Sequence, residues 1–325
     1  MTNGNLLIII NKAAAKTRSV WPGIEAALRR SKLKFNLCET AAPGDATTRT
    51  RAAIRAGFST IAVVGGDGTL SEAAEGFFEF DEERTESIPS PINCNATLAI
   101  LPAGTGDDFA RGLMGKRLPI ERWVDILISH YYGETKECER VVDVMFVTSD
   151  GYTRAFICLN AVTMGIGGET AAKVAAQGTF MRRFSGEARF AAAAISALAA
   201  WRERHVRVSL DDGEVIECPM NLVAVANGLY AGGGMMLSPQ AQIDDGKLDV
   251  VTASGFTRAA VMRELPRIHR GGHVANTKVC IRQGKIAKVE TFKPEDALLI
   301  EADGNVRGRT PAEFRVMPQA LRFVV

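Results

Sequence analysis

Ile61-Ala62-Val63-Val64-Gly65-Gly66-Asp67-Gly68-Thr69 constrains this chain more than any other stretch. Its apolar run, with no polar alternation, predicts a strand buried inside a parallel sheet. The strand enters a glycine turn, and a helix-like segment, Leu70 to Phe78, follows. Glycines let backbone N–H groups approach phosphate oxygens closely, and the start of a helix favours negative charge. Asp67 cannot face a phosphate directly, because like charges repel; on this reading it works through Mg²⁺ or water. Taken alone, the stretch is explained equally well as a tight turn with Asp67 as an N-cap.

The neighbouring sequence repeats the device. Leu6 to Ile10 predicts a first buried strand, with Asn11-Lys12-Ala13-Ala14-Ala15-Lys16 as the turn after it. Trp21 to Arg30 reads as a helix, Lys34 to Glu39 as a strand, and Asp45 to Ala56 as a helix closed by Gly57. Thr97 to Leu101 is another apolar strand, ending in Pro102-Ala103-Gly104-Thr105-Gly106-Asp107-Asp108, with a helix from Asp108. Strands alternating with helices indicate a parallel sheet covered on both faces, with ligands at the carboxyl ends of its strands.

After about residue 135 the pattern becomes strand-rich. Ser149-Asp150-Gly151 and Asp211-Asp212-Gly213 mark hairpins, and Gly165 to Gly168 and Gly232 to Gly234 read as glycine loops. Many short strands with turn signals predict an antiparallel sandwich. Glu169 to Trp201 is helical and alanine-rich. It reads as core, although a groove lined by Met181, Phe184 and Phe190 would suit an acyl chain. Arg182-Arg183 reads as a solvated face.

The 325 residues suggest two domains, and a net charge of +2 demands no nucleic-acid partner. The six cysteines form no Cys-x-x-Cys pair, which predicts reduced thiols rather than a metal site or disulfide framework. The start lacks a basic n-region, so no secretory signal is expected. Phe190 to Trp201 falls short of the roughly 20 residues a membrane span needs. A cytoplasmic protein without a transmembrane segment is the expectation.

Val64 to Thr69, Leu101 to Ala110, Gly165 to Gly168, Gly232 to Met235, Asp245-Gly246-Lys247-Leu248-Asp249 and Glu301-Ala302-Asp303-Gly304 occur in one order. That order and spacing resemble the diacylglycerol kinase catalytic-domain family, a family of bacterial soluble lipid kinases related to sphingosine, ceramide and NAD kinases. The first signature alone is shared with NAD kinases, whereas the combination is much more specific. The resemblance implies an α/β nucleotide-binding domain over residues 1–135 and an antiparallel β-sandwich lipid-substrate domain over 136–325. It places the active site in the interdomain cleft and lets the C-terminal end return to the first domain. It further implies that Asn11, Gly65, Gly66, Asp67, Gly68, Thr69, Gly104 and Thr105 hold ATP. Asp67, Asp108 and Asp143 would form an Asp–water–Mg²⁺ network, Asp245 would bind a second, structural Mg²⁺, and Asp303 would be the catalytic base. Lys12, Arg18 or Arg111 would supply cationic help.

Phosphoryl transfer needs positioning and charge neutralisation more than covalent chemistry, and carboxylates are suitable hard ligands for Mg²⁺. The acceptor implied is diacylglycerol, met at the membrane surface by peripheral contact, with a sphingoid base, ceramide or another glycerolipid as the second reading. A homodimer is a candidate assembly. Three departures from the family pattern bear on activity. The first turn lacks its proline and glycine; Asp107 replaces an asparagine and adds negative charge; and Asn305 stands where a glutamate is expected after Asp303-Gly304. These departures keep open a binding protein with little catalysis.

Overall fold

The computed structural model describes residues 5–81, 87–134, 139–150, 155–177, 186–211 and 213–325. Gly151, Met181, Arg182, Arg183, Phe184 and Asp212 lie outside the described residues. The chain divides into two compact units, one of Met1–Val144 with Met317–Val325, the other of Met145–Val316. The division falls beyond the expected 135/136 because a continuous strand, Glu139–Asp150, carries the chain through it.

The first unit runs β1 (Leu6–Ile10), α1 (Ala15–Arg30), β2 (Asn36–Glu39), α2 (Asp45–Arg55), β3 (Thr60–Gly65), α3 (Asp67–Glu75), β4 (Phe78–Glu79), β5 (Ser90–Pro91), β6 (Thr97–Pro102), α4 (Asp108–Met114) and α5 (Ile120–Tyr132). β4 and β5 form a small separate pair. The main sheet has the order β2-β1-β3-β6, and every pairing in it is parallel. Ile8, Ile9 and Ile10 of β1 and Ile61 to Val64 of β3 are fully buried, as unalternated strands must be when both sheet faces are covered.

From β1 the chain crosses to β2 on one side, and from β2 it returns past β1 to β3. Right-handed crossovers in opposite directions put their helices on opposite faces. The observed packing agrees: α1 lies against α5, and α2 against α3. β1 and β3 therefore flank the point where the winding reverses, and at such a point open α/β sheets bind ligands outside the strand carboxyl ends.

At the opposite end of the sheet, Thr60 and Thr97 open β3 and β6. Their hydroxyls each lie 3.3 Å from His130 Nε2. Burial lowers the His130 pKa below its usual 6.5, and Glu139 opposes this less strongly. A depressed folded pKa gives stability that is complete above pH 6.5 and is lost as pH falls through the lower folded value. The thermal midpoint should thus decline on acidification below pH 6.5, and His130→Gln should flatten that limb in scans between pH 8 and 5.

The second unit runs from within β7 (Glu139–Asp150) through β8 (Phe156–Cys158), β9 (Ala161–Gly165), α6 (Ile166–Ala175), α7 (Gly186–Ala200), β10 (Arg204–Leu210), β11 (Glu214–Met220), β12 (Leu222–Ala226), β13 (Tyr230–Ala231) and β14 (Met235–Met236). It continues with β15 (Leu248–Ala253), α8 (Arg258–Ile268), β16 (Val279–Gly284), β17 (Ile286–Thr291), β18 (Leu299–Ala302) and β19 (Asn305–Val324). One antiparallel layer is β16-β15-β12-β9-β18-β19, and the other is β11-β10-β17-β19, with β7 and β8 also joined through β19. Val162, Val225 and Ile300 of the first layer pack with Val206, Val289 and Phe314 of the second in one core, which makes a sandwich. The last residues of β19 lie in the first unit, where Arg322 and Phe323 pair in parallel with Thr97 and Leu98 of β6.

Three expectations are corrected. Gly165 to Gly168 is no loop: Gly165 ends β9 and the next residues open α6. These glycines serve close approach, since a Cβ on Gly168 would stand 2.2 Å from the Leu299 carbonyl oxygen. The loop reading also concealed β9. Helix α8 was not expected, because its charged sequence carries Pro266 inside; Thr257 nevertheless caps it by accepting the Ala260 N–H at 3.2 Å.

Candidate active site

Three turns meet at the carboxyl edge of the parallel sheet. Asn11, directly after β1, folds its side chain onto its own turn: Oδ1 accepts the Ala13 N–H at 3.1 Å. This bond closes the turn without the proline and glycine that the family pattern has there. Asn11 Nδ2 donates to Thr69 Oγ1 at 3.1 Å, which ties the first turn to the second.

The second turn differs from expectation. α3 begins at Asp67, not Leu70, so Gly68 and Thr69 lie in its first turn, where backbone N–H groups have no intrahelical partner. Asp67 does not cap this helix; the N-cap position is Gly66, without a side-chain bond. The Asp67 carboxylate instead caps α4, accepting the N–H groups of Asp108 at 3.0 Å and Phe109 at 3.1 Å.

The third turn lies directly on the second. A Cβ built on Gly104 would fall 2.6 Å from Gly66 Cα, and one on Gly66 would fall 3.0 Å from Gly104 Cα. Gly104 therefore requires glycine for proximity alone, and a side chain at Gly66 would press tightly on Gly104. The Gly104 N–H donates to Asp107 Oδ1 at 2.7 Å, and Asp107 takes a left-handed φ of 50°. Thr105 is exposed at the turn.

Lys16 is one cation at this edge, and Arg117, which donates to the Gly106 carbonyl at 3.0 Å, is another. Lys16 Nζ donates to the Gly104 carbonyl at 2.5 Å and pairs with Asp107 Oδ2 at 3.0 Å. Lys12 is instead paired with Glu39 at 2.9 Å, and Arg18 donates to the carbonyls of Lys12 and Ala13. The charge that Asp107 adds is thus offset locally. Sequence alone assigns Lys16 no role, because it predicts a turn at Lys16 and a helix only from Trp21. With α1 starting at Ala15, Lys16 falls in its first turn, beside the buried Thr17.

Asp67 is pushed up to about 7, first by burial and then by the Asp108 charge, against two backbone N–H donors that stabilise its anion. Two adjacent carboxylates that resist joint ionisation are a setting that a cation relieves. Among the described residues, no three His, Cys, Asp or Glu side chains cluster to hold a metal directly. Asp67 and Asp108 supply hard carboxylate oxygens, the donor type that a Mg²⁺ keeping several of its waters would take.

Asp143 is fully buried on β7, and one of its oxygens accepts the Gln319 N–H at 2.7 Å. Asp245 forms a local turn, accepting the Lys247 N–H at 3.0 Å, with Gly246 at φ 72°. Nearby Asp249 accepts the Ser238 hydroxyl at 2.8 Å, and burial raises its pKa.

In the second unit, Asp303 and Gly304 join β18 to β19 with φ of 46° and 89°. Positive φ at both central residues is the hairpin geometry that Asp-Gly favours. The Asp303 carboxylate reaches across to the residues linking β8 to β9. Oδ2 accepts the Leu159 N–H at 2.7 Å, and Oδ1 accepts those of Asn160 and Ala161, each at 3.1 Å. The buried Cys158 thiol also hydrogen-bonds to Asp303, and burial together with that carboxylate pushes its pKa well up. Two residues back, Glu301 Oε2 accepts the Thr163 hydroxyl at 2.5 Å and Oε1 accepts the Gly304 N–H at 2.6 Å.

Residues 5–138 match the family model described as the diacylglycerol kinase catalytic domain. Residues 160–325 match the YegS C-terminal NAD kinase beta sandwich-like domain. A "Probable lipid kinase YegS-like" of Stenotrophomonas maltophilia (strain K279a) is 31% identical over 84% of this chain and 80% of its own length. A "Diacylglycerol kinase" of Mycobacterium tuberculosis (strain ATCC 25618 / H37Rv) is 29% identical over 86% of this chain and 81% of its own. The fold matches a crystal structure of a diacylglycerol kinase from Bacillus anthracis str. Sterne with a TM-score of 0.65 at 22% identity, covering 99% of this chain and 96% of the other. The match of residues 5–138 to the diacylglycerol kinase catalytic domain makes the chain a phosphotransferase of the lipid kinase type. The chain belongs to the diacylglycerol kinase and YegS-like family of lipid kinases.

Proposed function

We propose that this enzyme transfers the γ-phosphoryl group of ATP to the free hydroxyl of diacylglycerol, giving phosphatidic acid, with Mg²⁺ as the required cation. The observation that carries the nucleotide half is the contact of Gly66 with Gly104, which brings two glycine turns together at the start of α3. The N–H groups of Gly68 and Thr69 suit phosphate oxygens, and Lys16 suits their charge. Asn11 and Thr69 fix the rim of the turn. Asp67 and Asp108 would hold the hydrated Mg²⁺, which when bound neutralises charge on the transferring phosphoryl group.

The acceptor half rests on the family. The relatives named diacylglycerol kinase support diacylglycerol. Among the described residues no helix is long and apolar enough to cross a membrane. A lipid of this kind would therefore be met by peripheral contact with the membrane surface. A sphingoid base, ceramide or another glycerolipid is the second acceptor reading, and Asn305 in place of the expected glutamate is the feature that supports a nucleotide- or lipid-binding protein with little catalysis instead.

The test incubates the purified protein with γ-labelled ATP, Mg²⁺ and mixed micelles of diacylglycerol, ceramide, sphingosine or monoacylglycerol. Label should enter phosphatidic acid, and chelation of Mg²⁺ should abolish the transfer. Label in another lipid would reassign the acceptor. ATP binding with no transfer to any lipid would refute the kinase reading.

A further inference from the structure

We propose that α8, with the short turn after it, is a docking face for an anionic lipid bilayer, which the helix meets lying flat in the headgroup layer. The inference deepens the kinase reading above, whose acceptor is a membrane lipid.

Charge is spread unevenly along this chain. Between Asp249 and Glu290 stand eight lysines and arginines and one acid, Glu264, whereas the whole chain carries only +2. The remainder is therefore net negative. Most of these cations gather at α8: Arg258, Arg263, Arg267 and Arg270 are all exposed, and Lys278 is exposed beyond the Gly272–Ala275 turn. Glu264 does not neutralise the face, because it is turned inward. It is buried, and its Oε1 accepts the Arg267 guanidinium at 3.1 Å and the Asn276 amide at 3.0 Å. Of the four arginines, Arg267 is the one with an acidic partner among the described residues. A helix face that is merely solvated ordinarily interleaves both signs of charge.

Apolar positions run down the middle of this face. With about 3.6 residues per turn, Met262, Pro266 and Ala259 fall between Arg258 on one side and Arg263, Arg267 and Arg270 on the other. All three are exposed, Met262 by 43%, and Val274 in the following turn is 45% exposed. The opposite side holds the helix down. Ile268 packs on the apolar cluster that contains Ala161, Ala224 and Val251. Gly271, at φ 69°, lies so close to the strand-side loop that a Cβ there would stand 2.8 Å from Pro239 Cγ.

An apolar strip flanked by arginines suits a membrane interface, where apolar side chains enter the headgroup boundary and cations meet lipid phosphates. The 11 residues of α8 are far too few to span a bilayer. Diacylglycerol has no headgroup charge, so it cannot draw the enzyme electrostatically; phosphatidic acid and other anionic lipids can. A polyanion such as RNA would match the arginines but would gain nothing from Met262 and Val274.

Co-sedimentation with vesicles would be measured beside thermal midpoints and beside transfer to a short-chain, water-soluble diacylglycerol. The wild type should sediment with vesicles of phosphatidylcholine and phosphatidylglycerol in equal parts, and much less with phosphatidylcholine alone. Salt at about 1 M, where the screening length is about 3 Å, should release it. Replacing both Arg263→Gln and Arg270→Gln should weaken vesicle binding about 30-fold, from about fivefold for each cation near an anionic surface. Met262→Gln should weaken it several-fold. Midpoints and turnover of the soluble substrate should be unmoved in every variant. Equal binding to charged and neutral vesicles overturns the proposal, as does vesicle binding that the double replacement leaves unchanged. Tighter binding to a single-stranded RNA than to charged vesicles also overturns it. Should the double replacement lower the midpoint, wild-type vesicle binding by Met262→Gln overturns it. A wild type that binds charged vesicles but transfers phosphate to no lipid overturns the kinase reading and leaves the docking face in place.

Discussion

Asp67→Ala should lower turnover about 10³-fold while leaving the fold in place. A charged group aimed at the reacting phosphate or its cation is typically worth 10²–10³ in rate, on the order of 3–4 kcal/mol of barrier. The effect on stability is smaller because two contributions oppose each other. Losing the bonds to the Asp108 and Phe109 N–H groups uncaps α4, a loss of about 1 kcal/mol. Against this, the substitution removes a carboxylate whose ionisation is resisted by burial and by the Asp108 charge. Turnover at saturating ATP and Mg²⁺, measured beside the thermal midpoint, separates the two. Wild-type turnover in the variant would remove Asp67 from the phosphate site.

Gly104→Ala should damage both stability and nucleotide binding. The new methyl would stand 2.6 Å from Gly66 Cα and 2.7 Å from Asp107 Oδ1. The first of these is backbone and cannot rotate away, so the turns must separate. Overpacking of this kind costs about 1–3 kcal/mol. Separation also displaces Lys16, whose ammonium is held by the Gly104 carbonyl and Asp107. A displacement of about 1 Å in a positioning group can cost 10²-fold in rate. The expected result is a midpoint lowered by several degrees and kcat/KM for ATP reduced more than about 10²-fold. An alanine variant with wild-type nucleotide kinetics would show that the two turns do not act as a unit.

The fold was legible where physical signals are local. Ile61 to Val64 has no polar alternation, and a strand of that kind is stable only inside a covered parallel sheet. Asp303-Gly304 was legible as a hairpin because positive φ is a property of those residue types. Lys16 was not legible. A lysine in an alanine-rich turn carries no mark of its partner, and Asp107 lies 91 residues away in sequence. Asp67 was legible as important, with Asp108 as its neighbour, but which helix it caps was not. The helix it caps is α4, which adjoins it only because β3 and β6 are neighbours in the sheet.

The sequence alone determined that a glycine turn follows a buried parallel strand, that a second such turn follows another, and that a strand-rich part completes the chain. Hydrophobic periodicity and the backbone freedom of glycine act over a few residues, and both are written in composition and spacing. Only the tertiary structure decided that Gly66 and Gly104 touch, that Lys16 offsets Asp107, and that Asp303 accepts the N–H groups of Leu159 to Ala161. Those outcomes depend on which strands become neighbours and on which backbone donors a buried carboxylate meets. Burial decides the second, because a carboxylate withdrawn from water must take its hydrogen bonds from whatever the fold places beside it.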